Sequence, residues 1–329
     1  MRSADIQSST SRHATGGGPI FTKILPILLA AFPLFTGTAI SSSYAEIRSS
    51  VTSPTPVARS GIPSKFTQGV LWKISAPGVK SSYLFGTIHS DDARITALPQ
   101  PVTRALDASD HFTMEALIDA DGLIFMAQEM FFNDGRTLEQ VIGKELFAKS
   151  VAAMTTHGVP TVAVEKQKPW AVMMALAMPR PKTGEFLDLI LEQRAKRLNK
   201  PVTGLETIEE QVAVFNDLPL PDQIALLKEA VQAQPELEKE IEKMIIAYLA
   251  RDLAALEKIS EKHSLKDERI FQTVMDRLFT QRNHRMAERM GPMLKQGGSF
   301  IAVGVAHLTG EHGLLNLAEK AGYRVTPVY

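Results

Sequence analysis

Two short apolar stretches near opposite ends of the chain constrain the fold most. Residues 82–90 read S-Y-L-F-G-T-I-H-S, residues 299–308 read S-F-I-A-V-G-V-A-H-L, and each stretch reaches a glycine and then, three residues later, a histidine. Short apolar runs rich in β-branched and aromatic residues are typical of buried strands. Two such strands lying side by side would bring His89 and His307 to one edge of a sheet, where α/β proteins bind ligands.

The composition removes several classes of partner and chemistry. The 329 residues include 36 basic and 36 acidic side chains, a balance that gives no electrostatic case for nucleic acid as a partner. Cysteine is absent, which excludes disulfides, thiolate metal ligands and a cysteine nucleophile. Any metal ion must therefore be held by nitrogen and oxygen atoms.

The N-terminal residues 1–45 resemble an export signal. A polar segment precedes the apolar run I-L-P-I-L-L-A-A-F-P-L-F, and small residues at Ser43 and Ala45 suit cleavage near Ala45. This pattern predicts an exported, periplasmic protein. The alternative is a retained membrane anchor, although Pro26 and Pro33 interrupt the run and it is short for a spanning helix. The Ser/Thr/Pro-rich residues 46–65 are predicted to be a flexible leader.

The remaining residues, 66–329, alternate strand and helix patterns and are taken as one domain. A hairpin is predicted where L-W-K-I-S and S-S-Y-L-F-G-T-I flank an Ala-Pro-Gly turn. Further strands are predicted at H-F-T-M-E-A-L-I, T-V-A-V-E, P-V-T-G-L-E, S-F-I-A-V-G-V-A-H and Y-R-V-T-P-V-Y. Between about 219 and 290 the apolar spacing changes to that of helices. We therefore expect a mixed α/β fold, with a central helix-covered sheet built from both ends of the domain and a mainly helical middle segment.

The two histidines need a carboxylate partner to form a site for a divalent ion such as Mn²⁺, Co²⁺ or Zn²⁺. The predicted strand H-F-T-M-E supplies Glu115, and the end of P-V-T-G-L-E supplies Glu206 as the second choice. The alternative for each histidine is a hydrogen-bonded structural residue at a strand end.

Other polar residues have two interpretations each. Arg282 and Asn283, in a partly apolar helix pattern, either orient a carboxylate or hold substrate, or they form a solvated helix face. His312 either reaches the same crevice as His307 or is a solvated residue at the start of the last helix. The His-Glu-x-x-His, Gly-x-Ser-x-Gly, phosphate-loop and dinucleotide-binding motifs are absent from the sequence. The classes of function that remain are a metal-assisted hydrolase and a binding protein.

Several motifs occur in an order that resembles the TraB/GumN family. They are L-W-K-I-S with S-Y-L-F-G-T-I-H, then K-P-W, G-L-E-T-I-E-E-Q, R-N-H-R-M-A and finally V-G-V-A-H-L-T-G-E-H-G-L-L-N-L. That family is similar to the Tiki metalloproteases, the erythromycin esterases and the ChaN-like proteins. The resemblance implies a mixed α/β fold in which both Gly-x-x-His motifs converge on a metal centre.

The resulting hypothesis is an exported metallohydrolase that acts on a peptide or protein substrate. His89, Glu115 and His307 would ligate the ion, Glu206 would be a general base or a further ligand, and Arg282 would stabilise an oxyanion or orient a ligand. The alternative is a non-catalytic extracytoplasmic protein that binds a peptide or signalling ligand in the same crevice. A membrane would be a partner only if the N-terminal segment is retained.

Overall fold

The structure is a computed structural model that describes residues 65–261 and 267–329. The predicted export signal lies outside the described residues, as does the leader up to residue 64. Among the described helices, none combines the length and the apolar character needed to cross a bilayer.

A six-stranded sheet forms the centre of the fold. Its strands are β1 (Leu71–Ser75), β2 (Ser82–Thr87), β3 (His111–Ala116), β4 (Val202–Glu206), β5 (Ser299–Gly304) and β6 (Arg324–Pro327). They lie in the order β4-β3-β5-β2-β1-β6, so strands from both ends of the domain share one sheet, as predicted. The β1–β2 hairpin and the β1–β6 pair are antiparallel, whereas β4, β3, β5 and β2 are mutually parallel. The carboxyl ends of these four strands therefore meet at one edge.

Helices from before and after β4 in the chain cover the sheet. Those before β4 are α1 (Ala93–Thr96), α2 (Gln100–Ala108), α3 (Ala120–Glu129), α4 (Leu138–Ile142), α5 (Lys144–Thr156), α6 (Thr161–Lys166), α7 (Pro169–Ala177) and α8 (Leu187–Arg197). Those after β4 are α9 (Ile208–Asn216), α10 (Leu220–Ala233), α11 (Leu237–Leu249), α12 (Leu253–Glu261), α13 (Glu268–Met275), α14 (Gln281–Gln296) and α15 (Leu314–Lys320). Short 3₁₀ turns span Gln234–Glu236 and Val305–His307, and a π-helical segment at Asp276–Thr280 joins α13 to α14.

Burial on both faces explains why the central strands read as apolar runs. All six residues of β5 are buried, and five of the six in β2 are buried. Parallel strands covered by helices on both faces show such near-continuous apolar sequences. The register pairs Gly86 with Val303 and Thr87 with Gly304, so β2 and β5 end side by side just before the two histidines.

One strand prediction is wrong, because T-V-A-V-E forms the short helix α6. Pro160 occupies the cap position before its first residue, where a fixed φ suits the start of a helix. Val164 is fully buried, whereas Val162 is 65% exposed, so the segment buries one side chain and not a strand face. Tertiary packing here outweighs the β-propensity of its two valines.

The helical segment after β4 also reaches the central strands. The buried hydroxyl of Tyr248, on α11, donates a hydrogen bond of 2.8 Å to the carbonyl oxygen of Gly86 in β2. This contact ties the helical cover to the strand that carries the first Gly-x-x-His motif.

Candidate active site

Four of the side chains predicted from the sequence lie in a row along the carboxyl edge of the parallel strands. Following the strand order, Glu206 ends β4, Glu115 lies near the end of β3, His307 follows β5 and His89 follows β2. Their exposed fractions are 4%, 3%, 0% and 4% respectively. Buried ionisable residues at such an edge are typical of a functional site, since burying them for stability alone is costly.

His307 is held between Asn283 and Glu115. Its Nδ1 lies 2.6 Å from Oδ1 of Asn283, whose Nδ2 donates to the carbonyl oxygen of His312 at 2.9 Å. Because that second bond fixes the amide orientation, Oδ1 is an acceptor and the His307 Nδ1 carries the proton. Nε2, which carries the lone pair of the neutral ring, lies 3.8 Å from Oε2 of Glu115.

His89 has a different set of neighbours. Its Nδ1 lies 3.5 Å from Oδ2 of Asp188, and the other oxygen of Asp188 accepts a hydrogen bond of 2.8 Å from the Thr87 hydroxyl. Phe186 stacks on the imidazole with ring centroids 4.1 Å apart and planes 10° from parallel. The carboxylate favours the proton on Nδ1, so Nε2 again carries the lone pair of the neutral imidazole.

Glu115 and Glu206 are bridged by one arginine. The Arg282 side chain is fully buried, its Nη2 contacts Oε1 of Glu115, and its Nε and Nη2 lie 2.6–3.1 Å from the oxygens of Glu206. Gln211 donates to Glu115 at 3.1 Å and to Glu206 at 3.4 Å, and the Gly304 N–H donates to Oε2 of Glu115 at 2.7 Å. Arg282 therefore lies between two carboxylates and not on a solvated helix face.

The protonation of Glu115 reflects this enclosed environment. Burial raises the pKa of Glu115 to about 7, the Arg282 charge opposes that rise, and the nearby Glu206 carboxylate adds to it. Burial also disfavours the charged form of Arg282, but the two glutamates outweigh it and raise the pKa of the guanidinium. Arg282 therefore keeps its charge, and Glu115 is the member of the cluster that titrates near neutral pH.

The first glycine of the paired motifs has a steric role. A Cβ added to Gly86 would lie 2.7 Å from Cδ1 of Leu308 and 2.9 Å from Cγ2 of Val305. These residues belong to the turn that carries His307, so the strand before His89 packs directly against that turn. Any larger residue at position 86 would push the two motifs apart.

The fit to a metal ion is good in donor type. Two imidazoles, each held at Nδ1 by a carboxylate or an amide, match the usual nitrogen ligands with their outer hydrogen-bonding partners. Within residues 65–261 and 267–329, no three His, Asp or Glu side chains are grouped closely enough to hold an ion. Glu115 is turned to Arg282 and the Gly304 N–H. The ligand set His89, Glu115 and His307 therefore stays a prediction.

Asp188 and Phe186 were not found from the sequence. Asp188 lies on the buried face of α8 together with Leu187 and Leu191. An acidic residue on an otherwise apolar helix face is the signal that points to it. His312 precedes α15, and its Nδ1 lies 3.1 Å from Nε2 of His284. Its backbone carbonyl oxygen accepts the hydrogen bond from Asn283 and so connects His312 to the surroundings of His307.

Comparison with known proteins gives the class of the chain. Residues 70–327 match the TraB/PrgY/gumN family, and the chain belongs to that family.

Relatives of this chain include proteins named as metalloproteases. "Metalloprotease TIKI2" of Danio rerio is 23% identical over 319 residues, covering 80% of this chain and 62% of that protein. "Metalloprotease TIKI1" of Homo sapiens is 24% identical, covering 78% of this chain and 61% of that protein. "Uncharacterized protein YbaP" of Shigella flexneri is 27% identical, covering 73% of this chain and 89% of that protein. The chain thus spans less than two thirds of the two TIKI proteins. No solved structure matches it significantly.

Proposed function

We propose that this protein is a divalent-metal-dependent hydrolase that cleaves peptide bonds. The observation that carries the proposal is the pair of buried histidines at the ends of adjacent parallel strands, each held at Nδ1 by another polar side chain. Such pairs present Nε2 as a ligand in a fixed direction. The names of the TIKI relatives support the same class of reaction.

In this proposal His89 and His307 hold the ion through Nε2, and Glu115 supplies the carboxylate. The absence of cysteine and the nitrogen and oxygen donors suit Mn²⁺, Co²⁺ or Zn²⁺. When bound, such an ion supplies Lewis acidity to a water molecule or a substrate carbonyl. Asp188 and Asn283 keep the two imidazoles in the correct tautomer and orientation.

Arg282 and Glu206 then support the three proposed ligand residues from outside the ligand set. Arg282 is fully buried and its guanidinium is occupied by both glutamates, so we assign it to orient Glu115. Glu206 supplies the counter-charge that holds Arg282 in place. The proposed general-base or ligand role of Glu206 would require one of its oxygens to leave Arg282 or Gln211.

Export and a peptide or protein substrate belong to the same proposal. The residue pattern of 1–45 supports cleavage near Ala45 and release into the periplasm. A membrane would take part only if that segment is retained, and nucleic acid is not expected as a partner because the charges of the chain balance.

A non-catalytic binding protein is the second candidate. The contacts of Glu115 favour it, because Arg282 and the Gly304 N–H already hold both of its oxygens. A peptide or a signalling ligand would then occupy the same edge of the sheet.

The test combines metal content with peptide cleavage. Purified mature protein is loaded with Mn²⁺, Co²⁺ or Zn²⁺, analysed for bound metal, and incubated with a peptide library that is read by mass spectrometry. His89→Ala and His307→Ala are expected to lose both stoichiometric metal and cleavage. His111→Ala, at the start of β3 and away from the site edge, is the control. Unchanged metal content and cleavage in both site variants would contradict the proposal, and metal binding without cleavage would favour the second candidate.

A further inference from the structure

Helix α14 presents three arginines along one stripe, and they differ in how well they are paired. Arg282 is saturated by the two buried glutamates. Arg289 donates to both oxygens of Glu210 at 2.6 and 2.7 Å and to the carbonyl oxygen of Leu205 at 2.6 Å. Between them lies Arg285, whose contacts are much looser.

Arg285 lacks the close partners that its neighbours have. Its Nη2 is 3.5 Å from Oε1 of Glu206, and its Nε is 3.9 Å from Oε1 of Glu210. The Nε atom is buried and has no hydrogen-bonding partner among the residues that the structure describes. A guanidinium has five N–H donors, and a buried donor left unsatisfied costs about 1–3 kcal/mol.

Close ion pairing inside the protein does not extend to Arg285. Glu206 already has Arg282 and Gln211 on its oxygens, and Glu210 already has a bidentate partner in Arg289. The Arg285 side chain is 35% exposed, whereas that of Glu206 is fully buried. It is therefore a cation that a ligand can reach, with a donor fork suited to a carboxylate.

The position of Arg285 relates it to the row of site residues. It lies beside Glu206, the residue that ends β4, whereas the histidines follow the ends of β5 and β2. Three strand spacings of about 4.8 Å separate β2 from β4, a distance of roughly 14 Å. At about 3.3 Å per residue, an extended peptide crosses that distance in about four residues.

We propose that Arg285 binds a carboxylate of the peptide that occupies this edge, about three to four residues from the histidines. The carboxylate is an Asp or Glu side chain, or the C-terminal carboxylate of the peptide. This inference rests on the proposed function only in taking a peptide as the ligand, and it holds for cleavage or for binding alone.

Equilibrium binding tests the inference separately from cleavage. Three sets of fluorescein-labelled octapeptides are titrated with the metal-loaded protein and read by fluorescence anisotropy. The first set contains Asp or Glu and has an amidated C-terminus, the second contains neither but has a free C-terminus, and the third is neutral and amidated. The proteins are wild type, Arg285→Gln, Arg285→Lys and the control Arg194→Gln, whose side chain forms a bidentate pair with Asp107 away from the site.

Wild type is expected to bind the first or the second set more tightly than the third, which identifies the source of the carboxylate. Arg285→Gln should weaken binding of that set about tenfold to a hundredfold, because a charge-assisted hydrogen bond contributes about 1.5–3 kcal/mol. Arg285→Gln should leave the affinity for the third set unchanged, and Arg285→Lys should keep part of the preference for peptides that carry a carboxylate. Arg194→Gln should keep all of the preference.

Three results would overturn the inference: no preference for carboxylates in wild type, including no binding of any set; an equal loss for all sets in Arg285→Gln; or the same selective loss in Arg194→Gln. Cleavage of the sets is recorded in parallel. If binding depends on Arg285 but no set is cleaved, the carboxylate site stands and the hydrolase is rejected. If wild type and Arg285→Gln cleave the sets equally, this inference alone is rejected.

Discussion

The two Gly-x-x-His segments share a spacing but not an environment. After β2, His89 is held by the Asp188 carboxylate and covered by Phe186. After β5, His307 is held by the Asn283 amide and lies next to Glu115 in a buried ion network. The two glycines differ as well, since Gly86 is needed for its missing side chain, whereas Gly304 contributes its N–H to Glu115.

This difference shows that the common spacing reflects geometry and not duplicated chemistry. Each histidine follows the end of a parallel strand, so the strand itself brings it to the edge, although β2 ends at Thr87 and β5 ends at Gly304. The charge around them is divided unequally. The group that holds Nδ1 of His89 is the Asp188 carboxylate, whereas the group that holds Nδ1 of His307 is the neutral amide of Asn283. Perturbing one side should therefore leave the other largely intact.

The largest effect is expected from breaking the ion network on the His307 side. Arg282→Met would leave Glu115 and Glu206 buried without their common cation. Removing one partner of a buried ion pair costs about 3–5 kcal/mol of unfolding free energy. Urea denaturation followed by circular dichroism measures it, with Arg289→Met as the control. Loss of the surface pair between Arg289 and Glu210 should cost under about 1 kcal/mol. Equal losses of unfolding free energy in the two variants would show that the buried network stabilises the fold no more than this surface pair does.

The pH dependence of stability should expose Glu115. Its pKa is raised from 4.5 to about 7 in the folded state, so the folded protein binds more protons than the unfolded chain in that window. Stability from this group is therefore greatest below pH 4.5 and is lost as the pH rises to about 7, by at most about 3 kcal/mol. Glu115→Gln should flatten this part of the profile. Glu210, whose pKa the Arg289 hydrogen bond lowers, should contribute with the opposite sign, so Glu210→Gln should change the profile only at acidic pH. Parallel wild-type and Glu115→Gln profiles from pH 4.5 to 7 would refute this assignment.

Crowding at the contact between the two motifs should cost somewhat less. Gly86→Ala would place a methyl group against Val305 and Leu308, and overpacking of this kind costs about 1–3 kcal/mol. Gly291→Ala on α14 is the control, because no atom lies within 4 Å of the added Cβ. It should be neutral or stabilising by up to about 1 kcal/mol, since alanine favours helix. Thermal unfolding of both variants tests the contrast, which fails if Gly86→Ala is as stable as wild type.

The smallest effect is expected from the outer partners on the His89 side. Asp188→Asn should lower metal affinity about tenfold to a hundredfold, as for other outer partners of histidine ligands. Thr87→Val, which removes only the hydroxyl bonded to Asp188, should lower it less. Isothermal titration calorimetry with Zn²⁺ compares the metal affinities of the two variants, and circular dichroism verifies that both are folded. An unchanged affinity in Asp188→Asn would show that this carboxylate does not serve a ligand.

The sequence carried enough information for the sheet and for the row of ionisable residues. Long apolar runs identify β2, β3 and β5, and a residue that follows such a strand is placed at the edge by the strand itself. The segment T-V-A-V-E was misassigned because its helix depends on the burial of Val164 against other elements. Asp188 and Phe186 were missed for a similar reason. Their relation to His89 arises only when α8 packs on the sheet, and no local spacing encodes it.

The π-helical segment at Asp276–Thr280 has a consequence for insertions and deletions. It joins α13 and α14 into one continuous helix and accommodates one residue more than an α-helical turn would. Each residue turns a helix by about 100°, and the wider π-helical turn absorbs the extra residue, so the helix after it faces as it would without the insertion. Deleting one residue there should therefore restore an α-helical turn and leave Arg282 facing the two glutamates. The charge balance at the sheet edge should thus tolerate the loss of one residue from this segment, although Arg282 follows it closely in the chain.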